Sequence, residues 1–181
     1  MILGLDLATT KTGYSIVNSD GSLVDYGAFR TQSKEPLKRI CEIYLFLEDI
    51  LKQNKGINVI VAEDVALTIK NNIKVGSDLL RLQGAIYALS IRYGIPMAFY
   101  MPTAWRSIVG TYDGTRDGTK REIQKQRAVA KVNDIYSLKL EYYKSETKEH
   151  LTGDDIAEAI LIANAYITDL ERSENDANNC Q

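Results

Sequence analysis

The chain opens on short apolar runs at strand spacing. Ile2–Asp6 is the first, residues 13–18 the second and residues 23–29 the third, with Asp20-Gly21 as a turn signal between the last two. The pattern predicts a three-stranded antiparallel meander. The apolar period then lengthens. Pro36 stands where a helix tolerates proline, in its first turn. Ile40, Ile43, Leu47, Ile50 and Leu51 follow at helical spacing, and Gly56 ends the run. Residues 58–63 predict a fourth strand, in which Val59-Ile60-Val61-Ala62 is apolar on both faces, as a central parallel strand would be.

The second half alternates. A helix is expected over residues 75–93, with Leu79, Leu82, Ile86, Leu89 and Tyr93 as its stripe and Gly94-Ile95-Pro96 as its stop. Residues 97–101 read as a fifth strand and 103–109 as a short helix. Residues 110–118 form a Gly/Asp/Thr loop, 119–135 a basic helix and 137–153 a polar loop. The last helix is expected over 154–170, and residues 172–181 read as a disordered tail. These elements predict one α/β domain over residues 1–171. Its sheet is mixed and five-stranded, three antiparallel strands then two parallel, flanked by helices.

Composition narrows the class. A chain of 181 residues with 45 % apolar and 25 % charged residues suits one sizeable core. No apolar run approaches the roughly 20 residues of a membrane helix, and the first residues do not read as a signal peptide. Cys41 and Cys180 show no metal spacing, so a reducing cytoplasm is expected. The net charge of −2 argues against nucleic acid until its distribution is considered. Between Trp105 and Lys148 ten Lys/Arg face six Asp/Glu, whereas the rest of the chain is acidic. A basic surface beside an acidic cluster and an ordinary solvated face both fit that asymmetry.

Three acidic features interrupt otherwise apolar elements. Asp6 ends the first strand and Glu63 the most apolar one. Acids at the carboxyl ends of buried strands face the crevice where α/β sheets bind ligands, although a strand that reaches water there looks the same. The last helix opens Gly153-Asp154-Asp155-Ile156-Ala157-Glu158. Acids in a first turn suit the helix dipole, but Asp155 and Glu158 also share a face. Asp155 lies nearer the apolar stripe Ile156, Ala159, Ile160, Ala163 and Ile167 than Asp154 does, which favours Asp155 as the inward acid. Such an oxygen-only cluster suits Mg²⁺, with Mn²⁺ able to substitute. Two ions roughly 4 Å apart would stabilise both the attacking and the leaving oxygen of a phosphodiester.

Gly4-Leu5-Asp6, a short loop and Thr12-Gly13-Tyr14 resemble the first motif of the RuvC-type Holliday-junction resolvases, which have the RNase H-like fold. Glu63 after Val59–Ala62 resembles their second catalytic acid, and Asp155-Ile156-Ala157-Glu158-Ala159 their closing motif. Pro102-Thr103-Ala104-Trp105-Arg106 is similar to a segment of phage members, and Lys120 resembles the family's lysine that faces the active site. The likeness runs over residues 2–168. It implies a metal-dependent endodeoxyribonuclease with two metal ions held by Asp6, Glu63, Asp155 and Glu158, and Lys120 beside them. It further implies paired nicks in four-way DNA junctions, made by a homodimer with no nucleotide cofactor. The family's last acid is usually Asp; Glu158 lengthens that arm and leaves Asp154 as a substitute ligand. The aromatic residue that some members carry after the second acid is replaced by Ala66 and Leu67, which loosens the expectation of junction selectivity.

Lys70, Lys74, Arg81, Lys120, Arg121, Lys125 and Arg127 are the candidate DNA contacts. Trp105 reads as a core anchor rather than a base-stacking platform, and His150 as a solvated loop residue. The helix over 75–93 carries Leu79, Leu80, Leu82, Ile86, Ala88 and Leu89, more apolar surface than one stripe needs, and is the expected dimer face. Other classes stay open. An actin-like or sugar-kinase-like phosphate-binding domain starts similarly, but the chain shows no second phosphate loop. An RNA-cutting relative would use the same acids, and a non-catalytic junction-binding protein would need none of them.

Overall fold

A computed structural model describes residues 1–65, 73–116, 118–146 and 152–179, and the side chains of all but 73–75, 178 and 179 among them. Lys70, the Lys74 side chain, His150, Ala66, Leu67 and Cys180 therefore lie outside the described residues. The strands are β1 (Ile2–Asp6), β2 (Lys11–Val17), β3 (Leu23–Arg30), β4 (Val59–Glu63) and β5 (Met97–Tyr100). The helices are α1 (Pro36–Gln53), α2 (Ile73–Tyr93), α3 (Pro102–Ile108), α4 (Arg121–Tyr136) and α5 (Asp154–Asn179).

The strands form one sheet in the order β3-β2-β1-β4-β5. β1 pairs antiparallel with β2, and β2 with β3. β4 pairs parallel with both β1 and β5. This is the expected meander followed by two crossovers, and it puts the two most apolar strands in the middle. Alternation does the rest, because successive side chains leave opposite faces of the sheet. Leu3, Leu5, Ile16, Ile60 and Ala62 form one core with Ile43, Leu47 and Leu51 of α1 and Leu82, Ile86 and Leu89 of α2. Ile2, Val17, Val59 and Val61 form the other with Trp105 of α3, Val129 and Val132 of α4, and Ile160 and Ala163 of α5.

One expectation is corrected. Residues 172–179 are not a structureless tail, since α5 runs unbroken to Asn179. Once a helix is nucleated each further residue adds a backbone hydrogen bond, so α5 continues past its last buried residue although 171–177 are all exposed. On α2, Leu82, Ile86 and Leu89 are core residues. Of the residues expected on its outer face, Leu80, exposed by 42 %, and Ala88 point outward, and Tyr87 and Ile91, exposed by 50 and 66 %, join them. Among the described residues no helix is long and apolar enough to cross a membrane.

Candidate active site

Two glycines place the acids. A Cβ at Gly4 would lie 2.3 Å from the Ala159 carbonyl oxygen and 2.9 Å from the Ala163 methyl. A Cβ at Gly13 would lie 1.9 Å from the Asp155 carbonyl oxygen. Gly13 sits opposite Asp6 and Gly4 opposite Ser15 in the β1–β2 ladder. The bare backbone at both points lets α5 lie directly on the sheet, and the Ser15 hydroxyl donates to Ala159 O at 3.0 Å. The first turn of α5 is thereby held above the end of β1. The glycines of the two motifs have a packing reason: no other residue admits the helix this close.

Asp6, Glu63, Asp155 and Glu158 gather there. Burial raises the Asp6 carboxyl well above its usual range, and Glu158, Asp155 and Glu63 raise it further by repulsion, while Lys125 opposes them. Burial likewise raises Glu63, against the lowering effect of Arg106 and Trp105. Three of the four expected ligands are thus near enough to Asp6 to feel its charge.

Basic side chains hold this cluster. Arg106 reaches Glu63 Oε2 through Nη1 at 3.0 Å and Glu158 Oε1 through Nη2 at 2.7 Å. The Trp105 indole N–H donates to the same Glu63 oxygen at 2.7 Å. Lys11 lies 2.8 Å from Asp155 and 2.6 Å from Glu146. Lys125 pairs with Asp154 and stands 3.8 Å from Asp155. Asp154 is fully buried against Lys125 and the Thr152 hydroxyl. It is the more buried of the two adjacent acids, yet Asp155 is the one that bears on Asp6. Among the described residues no three acidic, histidine or cysteine side chains converge as they stand on one metal position. Glu63 and Glu158 are turned toward Arg106, and Asp155 toward Lys11.

The donor set nevertheless fits a hard divalent cation. It consists of carboxylate oxygens alone, and the mutual repulsion that raises Asp6 is what such a cation relieves. Asp155 and Asp154 line a cleft of about 490 Å³ together with Lys11, Arg30, Arg121, Lys125, Lys144 and Glu146. Glu146 is drawn toward the cleft floor by Lys11 and Arg30, and together they bring it below the usual range although burial pushes it up.

The remaining expected contacts are scattered. Lys120 is exposed at the cap before α4, and Lys125, more than one turn further on, pairs with Asp154 as Lys11 does with Asp155. Arg121 lines the cleft. Arg127 is tied to Asp113 at 2.7 Å and Arg81 to Asp78 at 2.8 Å. Trp105 is a core residue as expected, fully buried, but with a polar bond to the site. Lys11 and Arg106 belong to the site and were not singled out by spacing. Their signal was weak: each is a lone basic residue beside a motif, and no period marks it.

A mixed sheet in this order, with acids at the carboxyl ends of β1 and β4 and on a helix laid across them, is the frame of an RNase H-like nuclease. The sequence profile of the family described as crossover junction endodeoxyribonuclease RuvC matches residues 2–165. This chain belongs to that RuvC family. A crossover junction endodeoxyribonuclease RuvC of Citrifermentans bemidjiense is 33 % identical over 116 residues, covering 61 % of this chain and 69 % of that one. Another, of Chlorobium phaeobacteroides, is 28 % identical over 181 residues, covering 98 % and 84 %. The T. thermophilus RuvC structure solved in complex with a Holliday junction substrate superposes with a TM-score of 0.70 at 16 % identity, over 94 % of each chain. The yeast mitochondrial Holliday junction resolvase gives 0.61 at 16 % identity, over 99 % of this chain and 82 % of its own. At that identity the two structures speak for the fold.

Proposed function

We propose that this chain is a metal-dependent endonuclease that resolves four-way DNA junctions by paired nicks. Its family membership supports that activity. The observation that carries the site is the placement of Glu158, Asp155 and Glu63 close enough to Asp6 to repel its charge, with Asp155 lining a basic-edged cleft. Asp6, Glu63, Asp155 and Glu158 hold the cation, with Asp154 as a reserve ligand that Lys125 keeps occupied. When bound, Mg²⁺ or Mn²⁺, two ions per site on our reading, polarises the scissile phosphate and supports attack by water. Arg106 and Trp105 orient Glu63.

DNA lies across the cleft in this reading. Arg30, Arg121 and Lys144 flank it as exposed cations, with Lys120 one residue ahead of Arg121. One acid cluster cuts one strand, so resolving a four-way junction takes two copies. An isologous homodimer supplies the second site in matching orientation. The outer stripe of α2, Leu80, Tyr87 and Ile91, is the face we assign to it. The site of action on this reading is the cytoplasm, beside the DNA.

The test uses labelled four-way, Y-shaped and linear DNA with Mg²⁺, with Mn²⁺ and with a chelator. Symmetric paired cuts in the four-way substrate, lost with the chelator, are expected. Equal cutting of linear DNA, or cutting that survives the chelator, would sink the reading.

A further inference from the structure

We infer that Arg106 is a permanent counter-cation of the acid cluster, a positioning residue that holds one oxygen each of Glu63 and Glu158 and thereby weakens the site's hold on divalent metal. The inference rests on the reading of the acids as metal ligands. It concerns a residue between them.

Both terminal nitrogens of the guanidinium are held, while its buried Nε has no hydrogen-bond partner among the described residues. Nη1 donates to Glu63 Oε2 and to the Pro102 carbonyl, each at 3.0 Å, and Nη2 donates to Glu158 Oε1 at 2.7 Å. The guanidinium carbon lies 4.1 Å from the centre of the Trp105 ring. Trp105 is fully buried, Arg106 is 7 % exposed and Glu158 6 %. Water therefore has little access to exchange for these bonds, and an arginine keeps its charge at any working pH. The fork of the side chain spans the two acids in a way a lysine ammonium does not.

The division of oxygens matters. Arg106 and Trp105 both use Oε2 of Glu63, and Arg106 uses Oε1 of Glu158. Among the described residues neither Glu63 Oε1 nor Glu158 Oε2 has a hydrogen-bond donor. Each acid thus keeps one oxygen for a cation and presents it in a fixed direction. The charge count points the same way. Asp6, Glu63, Asp155 and Glu158 face one Arg106, while Lys11 and Lys125 are shared with Glu146 and Asp154. The cluster stays negative enough to draw a divalent ion, but less negative than it would be without the guanidinium. An arginine present only for packing would not need to touch two candidate ligands at once.

The test needs no DNA. Trp105 is the chain's single tryptophan and is bonded to Glu63, so excitation through it reports terbium bound at the acids. Terbium titrations, Mn²⁺ competition and Mn²⁺-dependent melting are measured on the full chain as wild type, Arg106→Met and Arg106→Lys. Arg106→Met is expected to bind at least tenfold tighter, about 1.4 kcal/mol, and to gain more melting temperature from Mn²⁺ than wild type, while cutting junctions more slowly. Arg106→Lys keeps the charge without the fork; it is expected to bind terbium as wild type does and to cut several-fold slower. It also carries the test if Arg106→Met folds only with metal present. Equal or weaker metal binding by a folded Arg106→Met, or tenfold tighter binding by Arg106→Lys, would overturn the inference. Absence of any terbium signal and of any Mn²⁺ effect on melting in the wild type would instead remove the metal site itself, and the inference with it.

Discussion

The two faces of the sheet are built on opposite rules. Toward α1 and α2, β1 presents Leu3 and Leu5, and large aliphatic side chains from both helices interlock with them. Toward α5 the same strand presents Ile2, Gly4 and Asp6, and the helix answers with Ala159 and Ala163. Large side chains hold a helix at its ordinary distance and bury much area, roughly 25 cal/mol per Å². Glycine against alanine gives up that area and brings backbones together. One face is packed by large side chains throughout, whereas the other joins such packing to a glycine–alanine contact that supplies proximity, and the acids stand on that second face. Changes that alter activity without altering the fold should therefore cluster on the α5 side.

The strongest break in that symmetry is Asp6→Asn. On the proposed function it removes a metal ligand and one charge from the cluster, so junction cutting should fall below detection, while junction binding measured by gel shift persists or tightens. Gly13→Ala comes next. Its new Cβ would sit 1.9 Å from the Asp155 carbonyl oxygen, so the first turn of α5 must lift. Overpacking of this kind costs about 1–3 kcal/mol or more, and cutting should drop by more than the loss of folded protein accounts for. The matched change on the other face is Leu47→Ala, at a side chain 1 % exposed. Denaturant melts should show about 2–5 kcal/mol lost, yet cutting per folded molecule should stay within about twofold of wild type. If Leu47→Ala disturbs cutting as much as Gly13→Ala does, the division between the faces is wrong.

The smallest effect is a pH dependence confined to the α5 side. Asp6 has its folded-state proton affinity raised by burial and by Glu158, Asp155 and Glu63. In metal-free protein the folded state then binds the proton more tightly than the unfolded chain. The stability this contributes is present below the ordinary carboxylate range and is lost as pH rises through the raised value. Each unit of displacement is worth about 1.4 kcal/mol. Wild type should lose stability relative to Asp6→Asn across that window, and Mn²⁺ should shrink the difference. A difference that grows in the opposite direction with pH would show that Asp6 is not repelled by its neighbours.

Much of this molecule was legible along the chain, because strands and helices leave a period in the residues that face a core. Ile2–Asp6 and Val59–Glu63 were readable as strands, and Leu82, Ile86 and Leu89 as a buried stripe, with no partner in view. Asp6 and Glu63 stood out for a local reason: an acid that ends an apolar strand is a break in its own pattern. Where α5 ends was not legible, since an exposed polar helix has no period to read. The partners of Lys125 and Arg106 were hidden too. Lys125 meets Asp154, 29 residues further on, and Arg106 meets Glu63 and Glu158, 43 and 52 residues away. Sequence determined which acids the chain could offer and which side of an element each would leave. Only the tertiary structure decided which cation each acid meets. Charge acts across a few ångströms of space whatever the separation along the chain, and those few ångströms exist because α5 lies on two glycines.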